Sequence, residues 1–150
     1  MEMKILSQRN PAWGEVRIGE STAKIKDYGC LITCLSMLSD WYHYYFDPEW
    51  MAENLMFTGS GLIIWKSITA SILPMKFVYR YYKRDDAKIK SILVSQDNAC
   101  ILQVNSNHWV VLVGYSKVFG YKVADPYYGD VVYLARRGYK ITGFAEVTKK

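Results

Sequence analysis

Residues 99–125 read ACILQVNSNHWVVLVGYSKVFGYKVAD. Three apolar runs stand out, 99–104, 108–115 and 119–124, each of strand length and rich in β-branched and aromatic residues. Asn-Ser-Asn separates the first run from the second, and Gly114 and Gly120 are expected to mark turns. Two further strands are expected downstream, at 131–134 and 141–147, with Gly129 in the turn before them.

Upstream of this stretch the period changes. Leu31, Cys34, Leu35 and Leu38 form an apolar stripe at helical spacing, from just after Asp27 to about Tyr42. Asp47-Pro48 reads as a cap and first-turn pair that opens a helix to about Met56, broken at Gly59-Ser60-Gly61. Leu62, Trp65, Ile68 and Ile72 predict a third helix over 62–72, stopped by Pro74. Met75 to Tyr82 reads as a strand, and Asp85-Asp86 opens a helix through about Val94. The segment through Gly19 is irregular and is expected to lie as an extended arm. Helices first and a mostly antiparallel sheet second give an α+β domain, with no linker or repeat to divide residues 1–150.

Composition bounds the function. The 150 residues are 51% hydrophobic and 22% charged, which suits a globular chain with a buried core. The net charge of +5 is uneven: residues 1–75 carry six Lys/Arg against eight Asp/Glu, and residues 76–150 carry thirteen against six. The basic residues are scattered and form no run or stripe, which argues for solvated surface over nucleic-acid binding. The opening residues lack the apolar core and cleavage site of a signal peptide, and no stretch approaches the roughly 20 apolar residues of a membrane span. The product is therefore expected to be cytoplasmic when made, with lysis or a virion as routes of release.

Three cysteines, Cys30, Cys34 and Cys100, make no disulfide framework, and with only His43 and His108 beside them zinc-ligand spacing is missing. Neither a metal nor another cofactor is expected. Cys30 differs from the other two in its position. Tyr28-Gly29-Cys30 places it at a helix start, where the dipole and unpaired amides favour a thiolate. Gly29 is expected to leave open space beside the sulfur. Cys34 and Cys100 read as small apolar core residues.

A thiolate nucleophile needs a base. His43 lies past a helix end among aromatics and reads as a surface residue, whereas His108 heads the run Trp109 to Gly114 and is placed to face a cleft. Asp125 closes the next strand ahead of Pro126, so a hairpin can return it beside His108 to orient the imidazole. The Cys30 amide and an upstream side-chain amide, Gln8, are candidate donors to an oxyanion.

The pattern Gln8, Tyr28-Gly29-Cys30, His108-Trp109-Val110 and Asp125-Pro126 resembles the papain-like cysteine peptidases. Within them it is most similar to the branch of bacteriocin-leader (double-glycine) processing peptidases and their free-standing bacterial and phage relatives. The resemblance runs from Leu6 through the last strand. It implies a papain-like fold, Cys30 as nucleophile, His108 as general base and acid, Asp125 as orienting residue and Gln8 in the oxyanion hole. The gap between Gln8 and Cys30 is longer than in papain, and the insert is expected to form a substrate-facing loop carrying Trp13. With Tyr28, Gly29 and Trp109, Trp13 is expected to line the groove.

Three functions fit this reading. The first is a thiol peptidase or amidase acting on a peptide, a protein or the peptide part of a cell wall. The second is a catalytically silent binding or inhibitory protein on the same scaffold, for example a phage factor. The third is a transglutaminase-like or deamidating enzyme with the same triad and a different acyl acceptor.

Overall fold

Side-chain alternation along the central strands splits the interior of the protein into two layers. In the computed structural model, which describes all 150 residues, β2 spans Asn98–Val104 but is not its first strand: β1 is Met75–Tyr81. Along β2, Ala99 and Ile101 enter one apolar layer, and Cys100, Leu102 and Val104 enter the other. In β3 (His108–Ser116) Val111 belongs to the first layer, Val110 and Leu112 to the second. Burial on both faces explains why these strands read as continuous apolar runs.

Helices cover the first layer. After a single helical turn, α1 (Ile25–Tyr28), α2 (Cys30–Trp41) lays Cys34, Leu35 and Leu38 on the sheet. Beside it α3 (Pro48–Asn54) adds Met51 and Ala52, and α4 (Lys66–Ala70) adds Ile68. The Asp47 carboxylate accepts from the Trp50 amide at 2.8 Å and Pro48 occupies the first turn, as an N-cap pair should. The second layer is closed by α5 (Asp86–Leu93), through Ile89 and Ile92, and by Leu134, Ile141 and Phe144.

The remaining strands are β4 (Gly120–Asp125), β5 (Asp130–Tyr133) and β6 (Ile141–Lys149), with a 3-10 turn at Leu134–Arg137. The sheet order is β1-β6-β2-β3-β4-β5 and every pairing is antiparallel. This is the expected α+β layout, and no helix is long and apolar enough to cross a membrane.

Four local expectations are corrected. The helix over 62–72 contracts to Lys66–Ala70. Thr58 accepts and donates across to Leu62, an isolated bridge joins Phe57 to Ile63, and Leu62 and Ile72 are 67% and 75% exposed. The apolar spacing there has no continuous surface to bury against. The N-terminal segment is folded into turns, not extended: the Asn10 side chain accepts from the Ala12 amide, and the Trp13 indole donates to the Ser7 carbonyl at 2.8 Å. Trp13 is thereby 9% exposed, a core residue of the α2 layer. Gly114 lies inside β3 at a register shift between Leu112 and Gly114, not in a turn.

Candidate active site

Gly29 is fixed by a close approach. A Cβ there would lie 2.6 Å from both the carbonyl oxygen and Cγ2 of Ile25, itself wholly buried. Only glycine lets α1 end directly against the start of α2. The expected open space beside the sulfur is therefore filled, and Gly29 is buried behind Cys30, outside the cleft lining. No side chain caps the start of α2, so the Cys30 amide has no acceptor within the helix.

His108 is positioned by the turn before it. Asn105 and Ser106 adopt φ of 52° and 63°, and the Asn107 amide donates to the Val104 carbonyl at 3.2 Å, as in a type I′ turn. The turn is pinned to the chain ahead of β6: the Asn105 amide donates to the Lys140 carbonyl, and the Lys140 amide to Asn105 Oδ1. Val104 then pairs with His108 as the first residue of β3.

Asp125 closes β4, and Ala124 beside it pairs with Val111. That register puts Asp125 diagonal to His108, within side-chain reach. His108 Nε2 lies 2.8 Å from Asp125 Oδ1. A carboxylate only accepts, so Nε2 carries the hydrogen and Nδ1 is left for another partner.

Asp125 is fully buried and accepts from three further donors. The Tyr127 amide reaches Oδ1 at 2.9 Å, while Arg137 Nη1 and the Tyr139 hydroxyl each reach Oδ2 at 2.7 Å. Arg137 also forks onto Asp130, Nη1 to Oδ1 at 2.8 Å and Nη2 to Oδ2 at 2.5 Å. Its guanidinium lies 3.9 Å from the Tyr128 ring centroid. Arg137 and Tyr139 belong to this candidate site through their bonds to Asp125, and the sequence alone does not point to them. Arg136-Arg137 looks like dispersed surface charge until the 3-10 turn brings it back beneath β4.

The electrostatics follow from this cage. Burial pushes the Asp125 carboxyl up, but bonds from His108 and Tyr139, the His108 charge and the Tyr127 amide outweigh it and hold the group at about 2. For His108, burial disfavours the cation. The Asp125 bond and then the adjacent Cys30 thiol reverse that effect and raise the imidazole to about 9. Burial pushes the Cys34 thiol up, and neighbouring Cys30 and Asp125 add to it, which keeps Cys34 a neutral core residue. Burial does the same to Cys100.

Cys30 and His108 line one cleft of about 220 Å³. Gln8, Tyr28, Trp109 and Tyr127 also line it, and Phe57, Leu62 and Ile63 give it an apolar wall. Tyr28 stands at the lip, 70% exposed, whereas Trp13 is absent from the lining. Gln8 is 2% exposed, with its amide N–H bonded to the Pro126 carbonyl at 2.8 Å. Its side-chain Nε2 donates to the Lys26 carbonyl at 3.0 Å, and Oε1 has no partner. One Nε2 hydrogen is thus committed and the other is uncommitted. His43 is exposed, beyond the far end of α2. A thiol, an imidazole backed by a buried carboxylate and unpaired N–H donors in one cleft are the parts needed for acyl transfer through a thioester.

No protein-family model matches the chain, and no curated protein sequence matches it. Among solved structures it is similar to a double glycine motif protease from an AMS/PCAT transporter, crystallised in complex with its leader peptide. The similarity has a TM-score of 0.57 at 17% identity and covers 81% of this chain and 84% of that one. The chain therefore shares its α+β fold with this protease.

Proposed function

We propose that this chain, built on a papain-like fold, is a thiol peptidase or amidase with Cys30 as its nucleophile. The observation that carries the reading is the 2.8 Å bond from His108 Nε2 to Asp125, which leaves Nδ1 uncommitted on a ring that shares its cleft with Cys30. Cys30 sulfur attacks the scissile carbonyl carbon after passing its proton to His108. The carbonyl oxygen gains charge and is met by the Cys30 amide and the uncommitted Gln8 N–H. His108 protonates the departing amine as the C–N bond breaks, leaving a thioester on Cys30. A water that gives its proton to His108 then hydrolyses the thioester and frees the thiol.

The substrate is a peptide chain or the peptide part of a cell wall. The neighbour's leader peptide supports a peptide ligand, and the cleft's apolar wall suits one. Mass spectrometry of products tests the reaction class. Two fragments per peptide are expected; a gain of one mass unit signals deamidation, and an amine adduct signals transfer. Iodoacetamide labelling tests the activated thiol. Cys30 should label quickly near neutral pH, and equal labelling of parent and His108→Ala would sink the catalytic reading in favour of a silent binding protein.

A further inference from the structure

Arg80 takes an unusual path across the sheet. It starts on the edge strand β1, where it pairs with Ala145 of β6. Gly143 of β6 has no side chain, and a Cβ there would lie 2.7 Å from Arg80 Nη1. Through that gap the guanidinium crosses β6 to β2, where Nη2 donates to Gln103 Oε1 at 3.1 Å, and Nη1 donates to the Tyr81 carbonyl. It ends 4.8 Å from the ring centroid of Trp109 on β3, with the Tyr82 ring 4.3 Å away. Trp109 itself lines the cleft that holds Cys30 and His108, whereas Arg80 lies outside that lining, on the other side of the Trp109 contact, in a second hollow with Tyr79, Tyr82, Lys83 and Asp85.

The arginine meets only neutral acceptors and aromatic faces. None of the seven ion pairs of the protein includes it. It is partly buried, and burial lowers its pKa. A cation drawn out of water without a counter-charge is unfavourable, and an anion brought beside it offsets that penalty. Two of the five N–H donors are used; the rest lie in the guanidinium plane, where a planar carboxylate can be met edge to edge.

We propose that Arg80, held against Trp109 and Tyr82, binds a carboxylate of the peptide that occupies the Cys30–His108 cleft. The assignment rests on the peptidase reading for the presence of a peptide there. The carboxylate is an acidic side chain or a free C-terminus, which share the recognising chemistry.

The test uses the full chain carrying Cys30→Ala, so that binding is read without turnover. Fluorescein-labelled decapeptide libraries carry Glu or Gln at one fixed position, with the C-terminus as acid or as amide. Anisotropy should show about tenfold tighter binding for the carboxylate form at one position, the scale of a charge-assisted pair. Glu against Gln identifies a side chain, and acid against amide identifies a terminus. Arg80→Met should abolish the ratio, and Arg80→Lys, which lacks the fork, should keep only part of it. If Arg80→Met fails to fold, Tyr82→Ala at a 78% exposed position replaces it and should reduce the ratio about threefold. An unchanged ratio in the variants, or no ratio in the parent protein, would overturn the proposal. Mass spectrometry on the same libraries with unsubstituted Cys30 separates the two readings. Carboxylate preference without cleavage sinks the peptidase reading alone, and cleavage without preference sinks this one alone.

Discussion

Arg137 binds Asp125 through the oxygen that His108 leaves free, with Nη1 at 2.7 Å from Oδ2. The buried carboxylate is thus satisfied on both sides by different cations. One belongs to the candidate reaction and the other to the scaffold. Asp130, paired with Asp125 across β4 and β5, is bridged by the same guanidinium, so two neighbouring carboxylates share one fork.

Asp125→Asn should lower the titration of His108 sharply. Burial alone disfavours the imidazolium, and the Asp125 bond is the main influence against it. The parent imidazole should titrate near pH 9 by NMR, and the variant near or below the free value of about 6.5. Alkylation of Cys30 should follow the same shift. An unchanged His108 titration would exclude Asp125 as the source of the raised value.

Folding stability should fall on the alkaline side. His108 has a folded value above its unfolded one, so its contribution is fully present below about pH 6.5 and is lost as pH rises through about 9. Asp125 has the opposite sign: its contribution is present above pH 4 or so and is lost as pH falls through about 2. Urea midpoints measured from pH 3 to 10 should form a plateau whose alkaline shoulder disappears in His108→Gln.

Arg137→Met should destabilise the protein by about 3–5 kcal/mol, because it strands a buried carboxylate. Tyr139→Phe removes one donor of four and should cost about 1–3 kcal/mol, with kcat reduced and KM nearly unchanged. Asp130→Asn, at a side chain 46% exposed, should cost less than about 1 kcal/mol. Denaturant melts that ranked these three in the reverse order would disprove the cage.

Gly29→Ala and Gly59→Ala make a matched pair. A methyl at Gly29 meets the Ile25 backbone at 2.6 Å, whereas one at Gly59 meets nothing within 4 Å. The first should cost about 1–3 kcal/mol and slow Cys30 alkylation by displacing the start of α2; the second should be neutral. Equal melting temperatures would show that α1 and α2 can part without consequence.

Gln8→Ala should lower kcat by about 100-fold with little change in KM, the signature of a donor used mainly in the transition state. A rise in KM alone would make Gln8 a groove residue.

The elements that carry Cys30, His108 and Asp125 were legible in the sequence because each ends where periodicity ends. α2 starts at Cys30, one residue before its apolar stripe, β3 begins at His108 after a turn, and β4 ends at Asp125 ahead of Pro126. Strand order was not legible. Nothing local to Ile141–Lys149 says that it enters between β1 and β2, because both of its neighbours are distant in the chain. Arg137, Tyr139 and Arg80 were invisible for the same reason: each acts across strands. Trp13 misled because an aromatic beside Gly14 reads equally as groove or core, and only its bond to the Ser7 carbonyl separates the two.

The insertion of β6 between β1 and β2 has a consequence for synthesis. Of the six strands it is the last to leave the ribosome, at roughly 5–20 residues per second, and until it does β1 has no neighbour. The β2–β5 meander that carries His108 and Asp125 can pair beforehand, but the turn ahead of His108 lacks its Lys140 anchor. Assembly of the candidate site is therefore delayed by topology. The order of synthesis thus makes the β2–β5 meander wait for the segment from Arg137 to β6 before the surroundings of Asp125 and His108 are complete.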